Sequence, residues 1–279
     1  MTLYLQPKSV DEAVRALAEN SLFVLAGGTD YFPARVGKPL NENILDITGI
    51  EKLRGVTERE THFNIGALTR WTDVTQQPLP EYFNGLKLAA REVGGVQIQN
   101  AGTIAGNICN ASPAADGIPP LLSLNADIVL ASTRGEHSMP LAKFIMGNRK
   151  TRCASDEIVT GFRIPKPSLP ARSAFLKLGA RRYLVISIVM VAAVIENDSG
   201  NVGAARIAVG SCSAAAKRLH LLERLLVGQP LRPGIADQII ESHLNQLSPI
   251  DDVRGSAKYR RDAALTLVRR AGEQLAVPA

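Results

Sequence analysis

The chain has few of the residues on which several classes of protein depend. Only three cysteines occur among 279 residues, and no two of them form a Cys-x-x-Cys pair. The usual ligand spacing of a structural zinc site or an iron–sulfur cluster is therefore missing. Aromatic residues make up 5% of the chain, and the basic residues behind its net charge of +6 are scattered among acidic ones. A nucleic-acid-binding surface, with a basic stripe and stacking aromatics, is not indicated.

Long apolar runs are also scarce. The best candidate, residues 184–195, is shorter than the roughly 20 residues of a membrane-spanning helix. It is rich in β-branched side chains, so it predicts a buried strand. The first residues show no basic region followed by an apolar stretch, which is the pattern of a secretory signal. We therefore expect a cytoplasmic protein.

Several motifs with known chemistry do not occur. The sequence has no Gly-x-x-x-x-Gly-Lys-Ser/Thr loop, no Gly-x-Gly-x-x-Gly after a strand, no Gly-x-Ser-x-Gly and no His-Glu-x-x-His. These are the signatures of P-loop nucleotidases, Rossmann dehydrogenases, α/β-hydrolases and zinc proteases. No catalytic side chain and no metal ligand is expected from the residues alone.

The pattern of apolar residues divides the chain in two near residue 168. Three prolines within residues 165–170 mark the division, because proline is excluded from helix interiors and central strands. The first part starts with a helix, whose capping box runs from Ser9 to Glu12. In the second part we expect three strands followed by three helices. The strands are predicted within residues 173–178, 185–195 and 204–210, and the helices at about 214–227, 234–245 and 259–276.

The first candidate binding segment follows a short buried strand. That strand ends abruptly in Gly27-Gly28-Thr29-Asp30. Paired glycines after a strand can present successive backbone N–H groups to phosphate oxygens, and Thr29 adds a hydroxyl donor. A plain structural turn is the alternative, which this motif alone leaves open.

The second candidate segment spans residues 97–120. It is dense in small and polar residues, nearly uncharged and without clear periodicity, so we expect an irregular segment packed closely against the fold. A phosphate would repel its carboxylate, Asp116, whereas ribityl or ribose hydroxyls can donate to it. One loop suited to a diphosphate and one suited to a polyol are together typical of a dinucleotide site. An ordinary packed Ω-loop remains the alternative.

Six segments, in this order, resemble the medium, FAD-binding subunit of the molybdenum hydroxylases. That family includes the flavin subunits of xanthine, carbon monoxide and aldehyde dehydrogenases. The segments are AGGTD (26–30), ILDI (44–47), IGALTRW (65–71), QIQNAGTIAGNICNASPAAD (97–116), DEIVTGFRIP (156–165) and FLKLGARR (175–182). The resemblance extends over the full length, and the long fourth segment is its most specific part.

The resemblance implies an α+β fold. It predicts an FAD-binding module of the vanillyl-alcohol-oxidase type over residues 1–168, with two α/β subdomains at about 1–55 and 56–168. A smaller C-terminal domain, residues 169–279, would follow, with a three-stranded antiparallel sheet and helices.

The resemblance also implies the positions of the cofactor contacts. Asp116 matches a ribityl-binding aspartate, and Val159 matches an apolar residue whose backbone touches the flavin ring. Lys177 matches a lysine near the ring, where a cation stabilises the anionic reduced flavin. The FAD-binding residues expected are Val24, Leu25, Ala26, Gly27, Gly28, Thr29, Asp30, Gly102, Thr103, Ile104, Ala105, Gly106, Asn107, Asp116, Val159 and Lys177.

Three residues depart from the usual family pattern. Ala105 stands where a glycine is usual, and at a position with positive φ it would be strained by about 1 kcal/mol. Gln99 replaces a usual arginine, and Val185 stands where relatives often carry aspartate. These departures indicate an outlying subgroup with altered flavin potential or partner docking.

The expected function is that of an electron-transferring flavin subunit. Electrons from a molybdopterin centre in a large subunit would pass through [2Fe–2S] clusters of a small subunit to the FAD, and from there to an external acceptor. A dimer of such heterotrimers is a further expectation. The alternatives are a stand-alone flavin oxidoreductase, in which Cys109 could attach the flavin covalently, and a scaffold that has lost its cofactor.

Overall fold

The structure is a computed structural model that describes residues 2–39, 41–182 and 184–277. Its first part is a three-stranded parallel sheet with one helix. The elements are β1 (Tyr4–Leu5), α1 (Val10–Glu19), β2 (Phe23–Leu25) and β3 (Ile44–Asp46). Strand β3 lies between β1 and β2. Helix α1 begins as predicted, because the Ser9 hydroxyl accepts a hydrogen bond from the Glu12 backbone N–H.

The middle part is a five-stranded antiparallel sheet covered by helices. Its elements in chain order are β4 (Val56–Glu58), β5 (His62–Gly66), α2 (Trp71–Gln76), α3 (Asn84–Glu92), α4 (Val96–Ala101), α5 (Ile104–Asn110), α6 (Ile118–Ser123), β6 (Asp127–Ser132), β7 (Gly135–Pro140), α7 (Leu141–Phe144), β8 (Ile145–Gly147), β9 (Lys150–Thr151) and β10 (Ile158–Pro165). The order in the sheet is β4-β5-β10-β6-β7, while β8 and β9 form a separate ribbon. Five helices therefore lie in the single connection between β5 and β6.

The C-terminal part combines a four-stranded antiparallel sheet with two helices. Its elements are β11 (Ala171–Leu178), β12 (Val189–Asp198), β13 (Asn201–Gly210), β14 (Lys217–Arg218), α8 (His220–Leu226) and α9 (Ala257–Ala276). The strands lie side by side in chain order. The prediction of a three-stranded sheet is therefore wrong, because a fourth strand, β14, belongs to it. Strand β14 is only two residues long, which is too short to leave an alternating pattern in the sequence.

The helix predicted over residues 234–245 is also wrong. The chain forms two 3-10 turns there, Ile235–Gln238 and Glu241–Leu244. The backbone N–H groups of Gly234 and Ala236 donate to the Glu273 carboxylate of α9. Because a side chain from another element satisfies these donors, the segment gains nothing from continuing as an α-helix.

The stretch predicted to be irregular, residues 97–120, contains helix α5, nearly all of α4 and the first half of α6. Helix α5 starts where the Thr103 hydroxyl accepts a hydrogen bond from the Gly106 backbone N–H, at 3.0 Å. Every residue of α6 is buried. A helix that is buried on all sides shows no amphipathic period, so the pattern of apolar residues did not reveal it.

The three parts share their hydrophobic cores. The largest core lies between the five-stranded sheet and its helices, and it includes Trp71 and Phe162. Val194 and Ala208 of the C-terminal sheet join this core, while Leu68 packs into the core of the N-terminal sheet. The domain boundaries near residues 55 and 168 stay predictions. Within the described ranges, no helix is long and apolar enough to cross a membrane.

Replacing Glu223 with alanine should destabilise the C-terminal part. The buried Glu223 carboxylate accepts hydrogen bonds from the Ile207 backbone N–H and from the Arg218 guanidinium. Its removal leaves a buried donor and a largely buried cation without this partner. We expect the free energy of unfolding to fall by about 3–5 kcal/mol in urea denaturation. The exposed Glu241, replaced with alanine, is the control, and equal stability of the two variants would contradict the assignment.

Candidate functional site

The two small-residue loops singled out in the sequence lie against each other. A Cβ atom on Gly27 would collide with the carbonyl oxygen of Ala101 and would lie 2.9 Å from the Cα of Gly102. Gly28 has a φ of +69°, and a Cβ there would lie 2.6 Å from the Phe32 ring. Both glycines are therefore required. Gly27 allows the close approach of the backbone, and Gly28 both avoids the Phe32 ring and adopts the left-handed conformation of the turn.

The turn after β2 carries a row of backbone donors. Within the part of the chain that the structure describes, the N–H groups of Gly27, Gly28, Thr29 and Asp30 donate no hydrogen bond. The Thr29 hydroxyl faces the second loop, because a Cβ on Gly102 would lie 3.3 Å from it. Successive free N–H groups in a turn are a suitable set of donors for phosphate oxygens.

The IGALTRW segment holds the second loop in place. The carbonyl oxygen of Thr69 accepts from the Ile104 backbone N–H at 2.9 Å, and the Trp71 N–H donates to the Gly102 carbonyl at 3.3 Å. Arg70 and Thr103 form an antiparallel bridge between these contacts. The close succession of these bonds fixes the second loop to the end of β5.

A cleft of about 510 Å³ lies beside the contact between the two loops. Its walls come from the N-terminal and the middle part of the chain. It is lined by Ala26, Gly27, Thr48, Glu51, Arg54, Leu68, Arg70, Asn100, Ala101 and Thr103. Arg54 is held by a 2.8 Å hydrogen bond to the Thr48 carbonyl, and Arg70 by one of 3.3 Å to the Asn100 carbonyl. Two guanidinium groups next to free N–H donors make this a suitable site for a multiply charged anion.

The buried Trp71 connects the glycine loops with the region of Asp116. A Cβ on Gly102 would lie 3.5 Å from Cδ1 of the indole, and a Cβ on Gly117 would lie 2.6 Å from Cη2 at its other end. The Asn107 side-chain oxygen accepts a hydrogen bond from the Gly117 backbone N–H at 3.3 Å. Residues 102–107 are thus linked to the turn that carries Asp116 in two ways. The Trp71 indole lies between Gly102 and Gly117, and the Asn107 side chain bonds directly to Gly117.

Asp116 and Lys177, predicted from separate motifs, form a buried ion pair. The Lys177 Nζ lies 2.7 Å from Asp116 Oδ2, with side-chain exposures of 5% for the lysine and 10% for the aspartate. Lys177 also donates to the Glu92 carbonyl at 3.0 Å, and the Ser187 hydroxyl donates to Asp116 Oδ1 at 2.6 Å. The pair joins β11 of the C-terminal sheet to the middle part of the chain.

The environment of Asp116 perturbs its titration. Burial raises the pKa of the Asp116 carboxyl, and the negative charge of Glu92 acts in the same direction. The charge of Lys177 and the hydrogen bonds from Lys177 and Ser187 oppose this rise in pKa. Each carboxylate oxygen accepts one of these side-chain bonds and keeps a lone pair for a further donor, such as a hydroxyl group.

The other predicted site residues lie in the strands and the helix around these contacts. Val24 and Leu25 belong to β2, where they lie opposite Leu45 and Asp46 of β3. Ile104 and Ala105 point into the core, and Gly106 lies beside the hydroxyl of the N-cap residue. Val159 is buried in β10 next to a β-bulge.

The three departures from the family pattern have structural explanations. Ala105 lies in α5 and is not among the described residues with positive φ, so the condition for strain at this position is not met. The Gln99 amide donates to the carbonyl oxygens of Arg91 and Val93, at 3.0 and 3.1 Å, at the end of α3. The side chain of Val185 covers Gly179, where a Cβ would collide with it. Each departure is accommodated by local packing.

Two family models match this chain. The FAD binding domain in molybdopterin dehydrogenase matches residues 1–167, and the CO dehydrogenase flavoprotein C-terminal domain matches residues 174–275. Together the two matches cover nearly the whole sequence.

Individual proteins are similar over almost their full length. The xanthine dehydrogenase FAD-binding subunit of Escherichia coli O157:H7 is 31% identical, over 96% of this chain and 93% of its own. The nicotinate dehydrogenase FAD-subunit of Eubacterium barkeri is 33% identical, over 93% and 91%. Among solved structures, a chain of reconstituted CO dehydrogenase from Oligotropha carboxidovorans superposes with a TM-score of 0.91 at 26% identity, over 100% and 99%.

Asp116 should leave a pH-dependent signature in stability. The pKa of Asp116 is higher in the folded chain than in the unfolded one. Its stabilising contribution to the free energy of unfolding is therefore complete below the unfolded pKa of about 3.9, and it is lost as the pH rises through the folded pKa. We expect the difference in unfolding free energy between the ligand-free protein and Asp116→Asn to fall as the pH rises above about 4. Chemical denaturation over a pH series measures this difference. A difference that grows with pH would show that the ion pair outweighs burial.

Proposed function

Because the chain belongs to the family of FAD-binding subunits of the molybdopterin dehydrogenases, we propose that it binds one FAD and carries electrons from a partner subunit to an external acceptor. The observation that supports this most is the contact between the two glycine loops. It leaves free N–H donors beside a cleft with two arginines, and Trp71 connects it to the buried pair of Asp116 and Lys177. The chain is thus proposed as the flavoprotein subunit of an oxidoreductase.

The chemistry of the donors fits the successive parts of FAD. The backbone N–H groups of residues 27–30, with Arg54 and Arg70, would hold the diphosphate, which needs donors and positive charge. Residues 102–107 supply small side chains and the Thr103 hydroxyl next to it. Asp116 would accept from a ribityl hydroxyl. Arg54 lies outside the segments that carry the family resemblance, and Arg70 lies inside one of them, IGALTRW, but has no binding role that the sequence alone indicates.

Lys177 is proposed to serve the flavin ring. FAD, when bound, accepts and releases electrons through that ring, and negative charge develops on it during reduction. A buried ammonium group near the ring stabilises this charge more strongly than an exposed one, since water screens it less. Asp116 holds the lysine side chain in a fixed place and offsets the free energy of burying its charge.

Partner subunits are proposed from the relatives. Similar chains are named as the medium chains of glyceraldehyde dehydrogenase from Sulfolobus acidocaldarius and carbon monoxide dehydrogenase from Hydrogenophaga pseudoflava. A medium chain implies a larger and a smaller one. We infer that the large subunit holds the molybdopterin, that the small subunit holds the [2Fe–2S] clusters, and that the complex works in the cytoplasm.

Gly27→Ala should remove FAD from the protein. The added methyl group would push Ala101 and Gly102 away from the first loop and separate the two sets of donors. We expect the Kd for FAD to rise at least tenfold, which corresponds to about 1.4 kcal/mol or more of binding free energy, and less FAD to be retained after gel filtration. Gly147→Ala is the matched control, since none of the described residues places a neighbouring atom within 4 Å of the position of its Cβ. Equal retention by the two variants would refute the assignment of the loop.

Acid precipitation of the purified chain tests how the flavin is held. We expect FAD to be released into the supernatant, because hydrogen bonds and charge alone hold it. Flavin that stays in the pellet would instead mean a covalent link, for which the exposed Cys109 is the candidate thiol. A chain that cannot be reconstituted with FAD would contradict the proposed function. Co-purification with molybdenum- and iron-containing subunits distinguishes a subunit from a stand-alone enzyme.

A further inference from the structure

We propose that Ser187 is a positioning residue of the flavin site, which orients the Asp116 carboxylate and, through it, the Lys177 ammonium group. This inference rests on the proposed function, since it assumes that Lys177 serves a bound flavin. Ser187 belongs to none of the motifs found in the sequence. It follows from the geometry around Asp116.

Ser187 occupies one of two donor positions on the same carboxylate. Its hydroxyl, in a side chain that is 1% exposed, donates to Oδ1 at 2.6 Å, while Lys177 binds Oδ2 at 2.7 Å. A carboxylate with a single donor can rotate about its bond to Cβ, but one with a donor on each oxygen has one preferred orientation. Ser187 therefore determines where Oδ2 points, and with it the position of Lys177.

The backbone next to Ser187 is held in place, because both the N–H and the carbonyl group of Ile188 form hydrogen bonds. The Ile188 N–H donates to the Leu178 carbonyl at 2.8 Å, and the Ile188 carbonyl accepts from Arg260 at 2.6 Å. Leu178 directly follows Lys177 in β11. Ser187 and Lys177 are therefore attached to the same strand end, which keeps their two donor atoms in register on the carboxylate.

Lys177 retains one donor for a ligand. An ammonium group has three N–H bonds, and the described residues use two of them, for Asp116 and for the Glu92 carbonyl. Among the residues that the structure describes, the charged and titratable groups that act on this carboxylate are Lys177 from β11 and Glu92 from the end of α3. With both of its known acceptors fixed, the lysine can direct its third N–H in a single direction.

The test compares the Ser187→Ala variant with the wild-type chain, both as full-length protein reconstituted with FAD. Loss of a hydrogen bond to a charged group should speed FAD release about tenfold. It should also shift the midpoint potential of the flavin to more negative values, because the lysine would no longer be held against the reduced ring. The pH profile of FAD release should change too, since Asp116 loses a donor. Ser187→Thr keeps the hydroxyl and should restore all three properties.

A structural role alone would give a different result. Ser123→Ala is the matched control, because Ser123 is a buried serine whose hydroxyl donates to the Pro120 carbonyl. It is expected to change thermal stability at most, and to leave the potential and the pH profile unchanged. Ser187→Ala behaving like Ser123→Ala would overturn the inference. If Ser187→Ala does not fold, Ser187→Cys, a much weaker donor of similar size, replaces it in the same comparison.

Failure of this inference and failure of the proposed function give separate results. A wild-type chain that does not bind FAD refutes the function. A wild-type chain that binds FAD, together with a Ser187→Ala variant of unchanged release rate and potential, refutes only the role of Ser187.

Discussion

Two stretches of backbone approach each other at Gly27 and Gly102 more closely than any side chain would allow. The rest of the candidate site is arranged around this contact. It brings the end of β2 in the N-terminal sheet against the connection between β5 and β6. The N–H groups of the first turn are left without acceptors among the described residues, and the arginine-flanked cleft opens beside them. The donors, the positive charge and the indole of Trp71 all take their positions from this contact.

The charges of the site are concentrated at its two ends. Arg54 and Arg70 flank the cleft at one end, and Lys177 is buried at the other. The segment of residues 97–120, which runs between these ends, has mostly small side chains and is nearly uncharged. FAD has a similar distribution, with a doubly charged diphosphate, a neutral polyol and a ring that becomes negative on reduction. Burial of the lysine requires a counter-charge, and Asp116 provides it. The same aspartate is thus proposed both to bind the polyol and to balance the cation.

The sequence predicted those parts of the site that are contiguous in the chain. Both glycine loops follow from local composition, and Asp116 stands out in an uncharged stretch. Arg54 and Ser187 could not be predicted, because only packing between distant elements brings them to the site. Trp71 lies in the IGALTRW segment, but the sequence alone assigns it no role. The fold shows the same limit. Strand β14 was too short to leave a pattern, and the turns of residues 234–245 depend on Glu273, a side chain far along the chain. Strain at Ala105 would require a positive φ, whereas the structure has a helix there.

The ion pair of Asp116 and Lys177 lies where the middle part meets the C-terminal sheet. A ligand that contacts this pair and the first glycine loop at once touches all three parts of the chain. Such a ligand favours the native state by RT ln(1 + [L]/Kd), so occupancy and folding are thermodynamically linked. Cellular supply of the flavin would then set the amount of intact subunit as well as its redox capacity. Chains made in excess of flavin would be the first to unfold and to be degraded.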